Sequence, residues 1–190
     1  MSVIECEKFS RKLAYHSAPT LLGIKCASLI SVGADEFELN YHINVFNKKA
    51  SVKGLKSRIL CKCKNRVLML VYNEKLLLKR ISDRNAAELL TKNGYPLNIS
   101  LDGYIDFLAS RIKGCNDFPH EIGIFLDYPL EDVMGFIENK GENFKICGFW
   151  KVYGSEEKAK RIFSNYRKCR NFLCGKLNDG VDIYKALKIS

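Results

Sequence analysis

Apolar positions along this chain switch repeatedly between a helical and a strand period. Ile4, Phe9 and Leu13 fall at helical spacing and predict a first helix that ends near His16, because Pro19 announces a break and a restart. From Asp35 to Asn47 the residues Phe37, Leu39, Tyr41, Ile43 and Val45 alternate as in a strand, while Leu39, Ile43 and Phe46 also fit a helix. The helix is preferred, since acidic residues open the segment and Lys48-Lys49 close it in agreement with the helix dipole. Ser57 to Lys64 and Val67 to Asn73 are strand-like runs separated by Asn65-Arg66, which reads as a hairpin. Because Val67 to Tyr72 is apolar on both faces, it is expected to be a central strand.

Helices follow over 74–81, 83–93 and 101–113, the second started by Asp83 and stopped by Asn93-Gly94. Ile122, Ile124 and Leu126 alternate as a short strand with His120 and Glu121 at its mouth. Pro129 fits the first turn of a helix favoured by Glu131 and Asp132, with Val133, Phe136 and Ile137 towards the core and an end at Asn139 to Gly141. Ile146 to Tyr153 reads as another strand. Ser155 caps a long final helix with Ala159, Ile162, Phe163 and Tyr166 on one side and Lys158, Arg161, Lys168 and Arg170 on the other. The pattern predicts an α+β fold, a small, largely antiparallel sheet covered by several helices, in one domain over 1–190.

Composition narrows the class. A chain of 190 residues that is 47% apolar can bury a sizeable core without staples. The charged start and the lack of any long apolar run lead us to expect a cytoplasmic protein with no membrane partner, whose eight cysteines are reduced thiols. The net charge of +10 is unevenly spread: −1 over 1–47, +10 over 48–92, −4 over 93–153 and +5 over 154–190. The two basic segments could face an anionic partner or could simply be solvated lysine-rich surface.

The common phosphate-cradle motifs are absent, as are a zincin pair and Cys-x-x-Cys. Cys61-x-Cys63 lacks further ligands at zinc spacing and reads as core or half-buried thiols. Three constellations remain. His120 with Glu121, near Asp127 and Asp132, offers an imidazole and a carboxylate for general-base work or for a cation, unless His120 bonds a loop and Glu121 pairs with a lysine. His16 to Lys25 contains Thr20 and Lys25, which could hold an anion, and His16, which could meet His120 in space; simple helix capping explains Pro19-Thr20 equally. Trp150, Lys151 and Tyr153 could clamp a planar or anionic ligand, or could be core and rim.

The segments His16-Ser-Ala-Pro-Thr-Leu-Leu-Gly-Ile-Lys25, Phe118-Pro-His-Glu-Ile-Gly-Ile-Phe-Leu-Asp-Tyr-Pro129, Glu131 to Asn139 and Gly148-Phe-Trp-Lys-Val-Tyr-Gly154 resemble an uncharacterised bacterial family, the domain-of-unknown-function family 3793, over nearly the whole chain. One departure is Ser17, where the family pattern has Cys after the first His; a thiol mechanism at that position does not carry over. The resemblance implies a small cytoplasmic protein of no assigned activity. The family's association with flavodoxins and iron-transport genes implies iron, haem or another metal as cofactor and a redox-protein partner.

Three functions therefore compete. The leading expectation is a ligand- or metal-binding accessory protein with His120, Glu121 and His16 as ligands to a metal and Lys151 placed for an anionic group. A second is a small enzyme of acyl or phosphoryl chemistry in which His120 is the general base, Glu121 its orienter and Lys25 or Lys151 the anion stabiliser. A third, less favoured, is nucleic-acid binding through 48–92 and 154–190, for which no recognition motif is present.

Overall fold

The computed structural model describes residues 2–63, 65–114 and 118–189. Its centre is a three-stranded antiparallel sheet of β1 (Ala27–Gly33), β2 (Leu55–Cys63) and β3 (Arg66–Asn73) in the order β1-β3-β2. The hairpin and the central position of β3 are as the sequence predicts; β1 is a strand the sequence reading does not include. Val67, Met69 and Val71 of β3 point into one core with Ile30, Val32 and Leu55, whereas Leu70 and Tyr72 point into a second. Both faces of the sheet are covered, which is why β3 carries apolar residues at consecutive positions.

The first face is covered by α1 (Val3–Leu21), α2 (Leu39–Ala50), the C-terminal half of α8 (Glu156–Asn178) and α9 (Ile183–Ala186). The second is covered by α3 (Glu74–Ile81), α4 (Arg84–Lys92), α5 (Leu101–Gly114), α6 (Ile122–Phe125) and α7 (Leu130–Glu138). The architecture is α+β. Ser155 caps α8 by accepting from Lys158 N, Asp83 caps α4, and Pro129 stands immediately before α7.

Several expectations are corrected. Helix α1 does not stop near His16 but runs to Leu21 with Pro19 inside it. Ala18, Pro19, Thr20 and Leu21 are all buried, so packing outweighs the one backbone bond proline removes. The Pro19 carbonyl accepts from Ile24 N at 2.8 Å, and Gly23 turns the chain at φ +73°. Ile122 to Phe125 is a single helical turn rather than a strand, and all four of its residues are buried. A short apolar run buried on every side carries no usable period. The predicted strand 146–153 is a tight hairpin of β4 (Ile146–Cys147) and β5 (Lys151–Val152), with Gly148 N donating to Trp150 O at 3.0 Å. Ile137, expected in the core, is exposed on α7.

Cys6, Cys26, Cys147, Cys169 and Cys174 are free thiols, Cys61 is buried, and Cys115 and the side chain of Cys63 lie outside the described residues. Among the described residues no helix is long and apolar enough to cross a membrane.

Candidate functional site

Helices α6 and α7 and the β4–β5 hairpin enclose a cleft of about 370 Å3. Its walls are mostly apolar and include five aromatic side chains, Phe118, Tyr128, Phe136, Phe149 and Trp150, with His120, Asp132, Cys147 and Lys151 supplying the side-chain polar atoms. A small apolar cavity with few convergent polar groups is the usual form of a ligand pocket.

The aromatic wall is held by specific contacts. Trp150 stacks on Tyr128 with ring centroids 4.8 Å apart and meets Phe163 of α8 edge-on at 4.5 Å. Its indole N–H, which needs a partner once buried, donates to Asp132 Oδ2 at 2.7 Å. Asp132 Oδ1 accepts from Tyr153 N and Gly154 N, both at 2.8 Å. One carboxylate, 3% exposed, thus ties the first turn of α7 to both ends of the segment that carries Trp150. Close backbone approaches complete the hairpin seat. A Cβ on Gly148 would lie 2.2 Å from Phe163 Cε2, and one on Gly135 would lie 2.5 Å from Tyr153 Cβ.

His120 is exposed at one edge of the cleft, its ring 4.8 Å from that of Phe136. Lys151 donates to Gly141 O at 2.7 Å, and its ammonium lies over the rings of Phe144 and Phe136 at 4.8 and 5.8 Å. That hydrogen bond leaves the other ammonium protons for a ligand. Tyr128 is buried enough that its phenol is pushed up to about 12, so it stays protonated.

The other residues singled out from the sequence lie elsewhere. Glu121 neighbours His120 in the chain but points the opposite way. Its carboxylate, 2% exposed, pairs with Arg111 and accepts from Tyr95 Oη at 3.2 Å. Desolvation first, then the Glu121 charge, raises the Tyr95 phenol. Glu121 is therefore not positioned to orient His120. Tyr153 does not line the cleft; its backbone serves Asp132, and its Oη is buried without a hydrogen-bond partner among the described residues.

Thr20 is buried and shares a 2.8 Å hydrogen bond with Ser28 Oγ, joining α1 to β1. His16 is exposed on α1 beside Tyr15, and desolvation together with the charges of Lys12 and Arg170 lowers its imidazole. The cleft that His120 lines includes neither His16 nor any residue of the segment from Ala18 to Lys25, so the expected meeting of His16 with His120 is not found there. His16, His120 and Glu121 do not converge as metal ligands, and among the described residues no three His, Cys, Asp or Glu side chains form a group able to hold a metal. Among the described residues, then, His16, His120 and Glu121 do not form a set that could hold an iron or other metal ion on its own.

Lys25 sits in a separate place. It is 7% exposed, with its ammonium 5.3 Å from the Tyr128 ring centroid and 5.4 Å from that of Tyr166. Burial lowers the amine to about 8, partly countered by Cys26 and Asp127.

Sequence reasoning did not single out Asp132 as the hub of the hairpin, nor Tyr128 and Phe136 as walls. The usable signal was the sole tryptophan, whose buried N–H demands an acceptor. A larger cavity of about 530 Å3 near Glu5 and Glu36 is less informative, because those carboxylates already pair with His42 and Lys12.

No curated protein and no solved structure matches the chain. The model of one family, described as a protein of unknown function (DUF3793), matches residues 13–187. The chain belongs to that family, and the segments that build the aromatic cleft all fall within the matched range.

Proposed function

We propose that this protein binds a small, planar, largely apolar molecule bearing one anionic group in the cleft between α6, α7 and the β4–β5 hairpin. The observation that carries the reading is the lining itself: five aromatic side chains around about 370 Å3, with His120 and Lys151 as the basic groups among them. Aromatic walls favour a flat ring by stacking, and a lysine held over aromatic faces can offer its ammonium protons to an anion. Asp132 is spent on three hydrogen bonds within the protein and serves the shape of the cleft rather than the ligand.

Trp150 is the only tryptophan and lines the cleft, so its emission reports occupancy directly. Titration with 8-anilinonaphthalene-1-sulfonate, an aromatic, largely apolar anion, is expected to quench Trp150 saturably. Replacing His120 by Ala or Lys151 by Met should weaken binding about tenfold, the loss expected for one charge-assisted hydrogen bond. His120 is exposed, so its replacement should change stability by no more than about 0.5 kcal/mol. Unchanged Trp150 emission, or equal affinity in both variants, would defeat the proposal.

A further inference from the structure

On the other side of the Asp127–Pro129 turn lies a second cavity, of about 270 Å3, between that turn and the N-terminal half of α8. Arg80 and Lys158 line it with Asp127, Asn165 and Tyr166. A further hollow along α8 shares Lys158, Ile162 and Asn165 with it and adds Arg161 and Glu157, so the two form one groove. Lys158 and Arg161 make no side-chain ion pair or hydrogen bond among the described residues.

Arg80 is fixed in place. Its Nη2 donates to Tyr128 O at 2.6 Å, its Nε stands 3.6 Å from Asp127 Oδ1, and that buried Nε has no hydrogen-bond partner among the described residues. Behind the wall formed by Tyr166 and Asp127 lies Lys25, whose buried ammonium has no hydrogen bond or ion pair among the described residues. Three cationic side chains, Arg80, Lys158 and Arg161, line the groove with two carboxylates, Asp127 and Glu157, and the Lys25 ammonium stands behind it against the Tyr166 ring. Two positive charges are left over, some of them in surroundings where water cannot offset them fully.

We propose that this groove binds the phosphate of a small phosphorylated molecule, held by Arg80 and Lys158 with Arg161 at its far end. A phosphate dianion neutralises the surplus, and a planar guanidinium fixed by its other bonds is suited to phosphate oxygens. A small phosphorylated molecule is preferred to a long polyanion because Glu131, lying against Gly154 at the start of α8, sets a further carboxylate near the groove. The site is distinct from the aromatic cleft and does not depend on what occupies it.

The test is calorimetric titration of the protein with inorganic pyrophosphate at low salt. Saturable binding is expected, weakened about tenfold by Lys158→Ala through loss of a charge-assisted contact. Lys158 is exposed, so this variant should keep its fold, with circular dichroism as the control. Asp127→Asn is expected to act in the opposite direction. Asn tolerates the left-handed backbone of position 127, at φ +59°, while the repelling carboxylate is removed, so affinity should rise severalfold. Three results would each overturn the proposal: no saturable heat with pyrophosphate, affinity indifferent to both substitutions, or acetate binding as tightly as pyrophosphate. Tighter binding to a single-stranded oligonucleotide that grows with its length would also overturn it, in favour of a nucleic-acid surface.

Discussion

Replacing Asp132 by Asn changes one atom in shape and removes one acceptor from a buried set of three donors. In the native protein Oδ2 serves Trp150 Nε1 while Oδ1 serves the two backbone N–H groups of Tyr153 and Gly154. An amide has one oxygen. If that oxygen stays on the backbone pair, its NH2 group faces the indole N–H, donor against donor. If it turns to Trp150, two backbone donors lose their partner. The first arrangement costs less, and still forfeits a hydrogen bond to a charged group together with the desolvation of the stranded donor. With Asp132 3% exposed, water cannot substitute, so the loss should be about 2–4 kcal/mol. Asp132→Ala strands all three donors and should cost more, about 3–6 kcal/mol. Urea unfolding followed by Trp150 emission and by far-ultraviolet circular dichroism measures both. In a Trp150→Phe background, which deletes the indole donor, the cost of Asp132→Asn should shrink by about 1–2 kcal/mol, read by circular dichroism. A cost of Asp132→Asn below about 1 kcal/mol, or one unchanged by Trp150→Phe, would show that the carboxylate does not hold the hairpin.

Two further predictions concern buried ionisable groups. Lys25 has its amine lowered from an ordinary 10.5 to about 8 by burial, so the unfolded chain binds more protons between those values and stability should rise with pH from about 8 upward. Between pH 8 and 9 the gain should be about 1 kcal/mol; above 9 the buried Cys26 thiol, pushed up to about 12, opposes it. Urea midpoints across that interval should show the rise in the native protein and its loss in Lys25→Met, and a flat native profile would contradict the assignment. Glu121→Gln should cost about 2 kcal/mol by leaving Arg111 and Tyr95 with a weaker acceptor, while the affinity of the aromatic cleft changes less than about twofold. A large fall in cleft affinity at unchanged stability would restore Glu121 as the partner of His120.

Elements whose signals are local can be read from the chain alone. Asp83 and Ser155 announce helix starts through side chains that accept from the next turn, and β3 announces a central strand by carrying Leu70 and Val71 side by side. The sequence also marks the block from Phe118 to Gly154, which does supply the cleft. Tertiary structure alone decided the rest. Ile122 to Phe125 forms a turn of helix because its neighbours bury it on every side, a condition no period within four residues can express. Pro19 stays inside α1 because the core, not the backbone ladder, stabilises that last turn. His120 and Glu121 are adjacent in sequence yet serve different surroundings, since in a turn successive side chains diverge: one meets Phe136 at the cleft, the other Arg111 and Tyr95 in the interior. The role of Asp132 was hidden for the same reason, because its three partners lie 18 to 22 residues away and are brought to it only by the packing of the hairpin on α7 and α8.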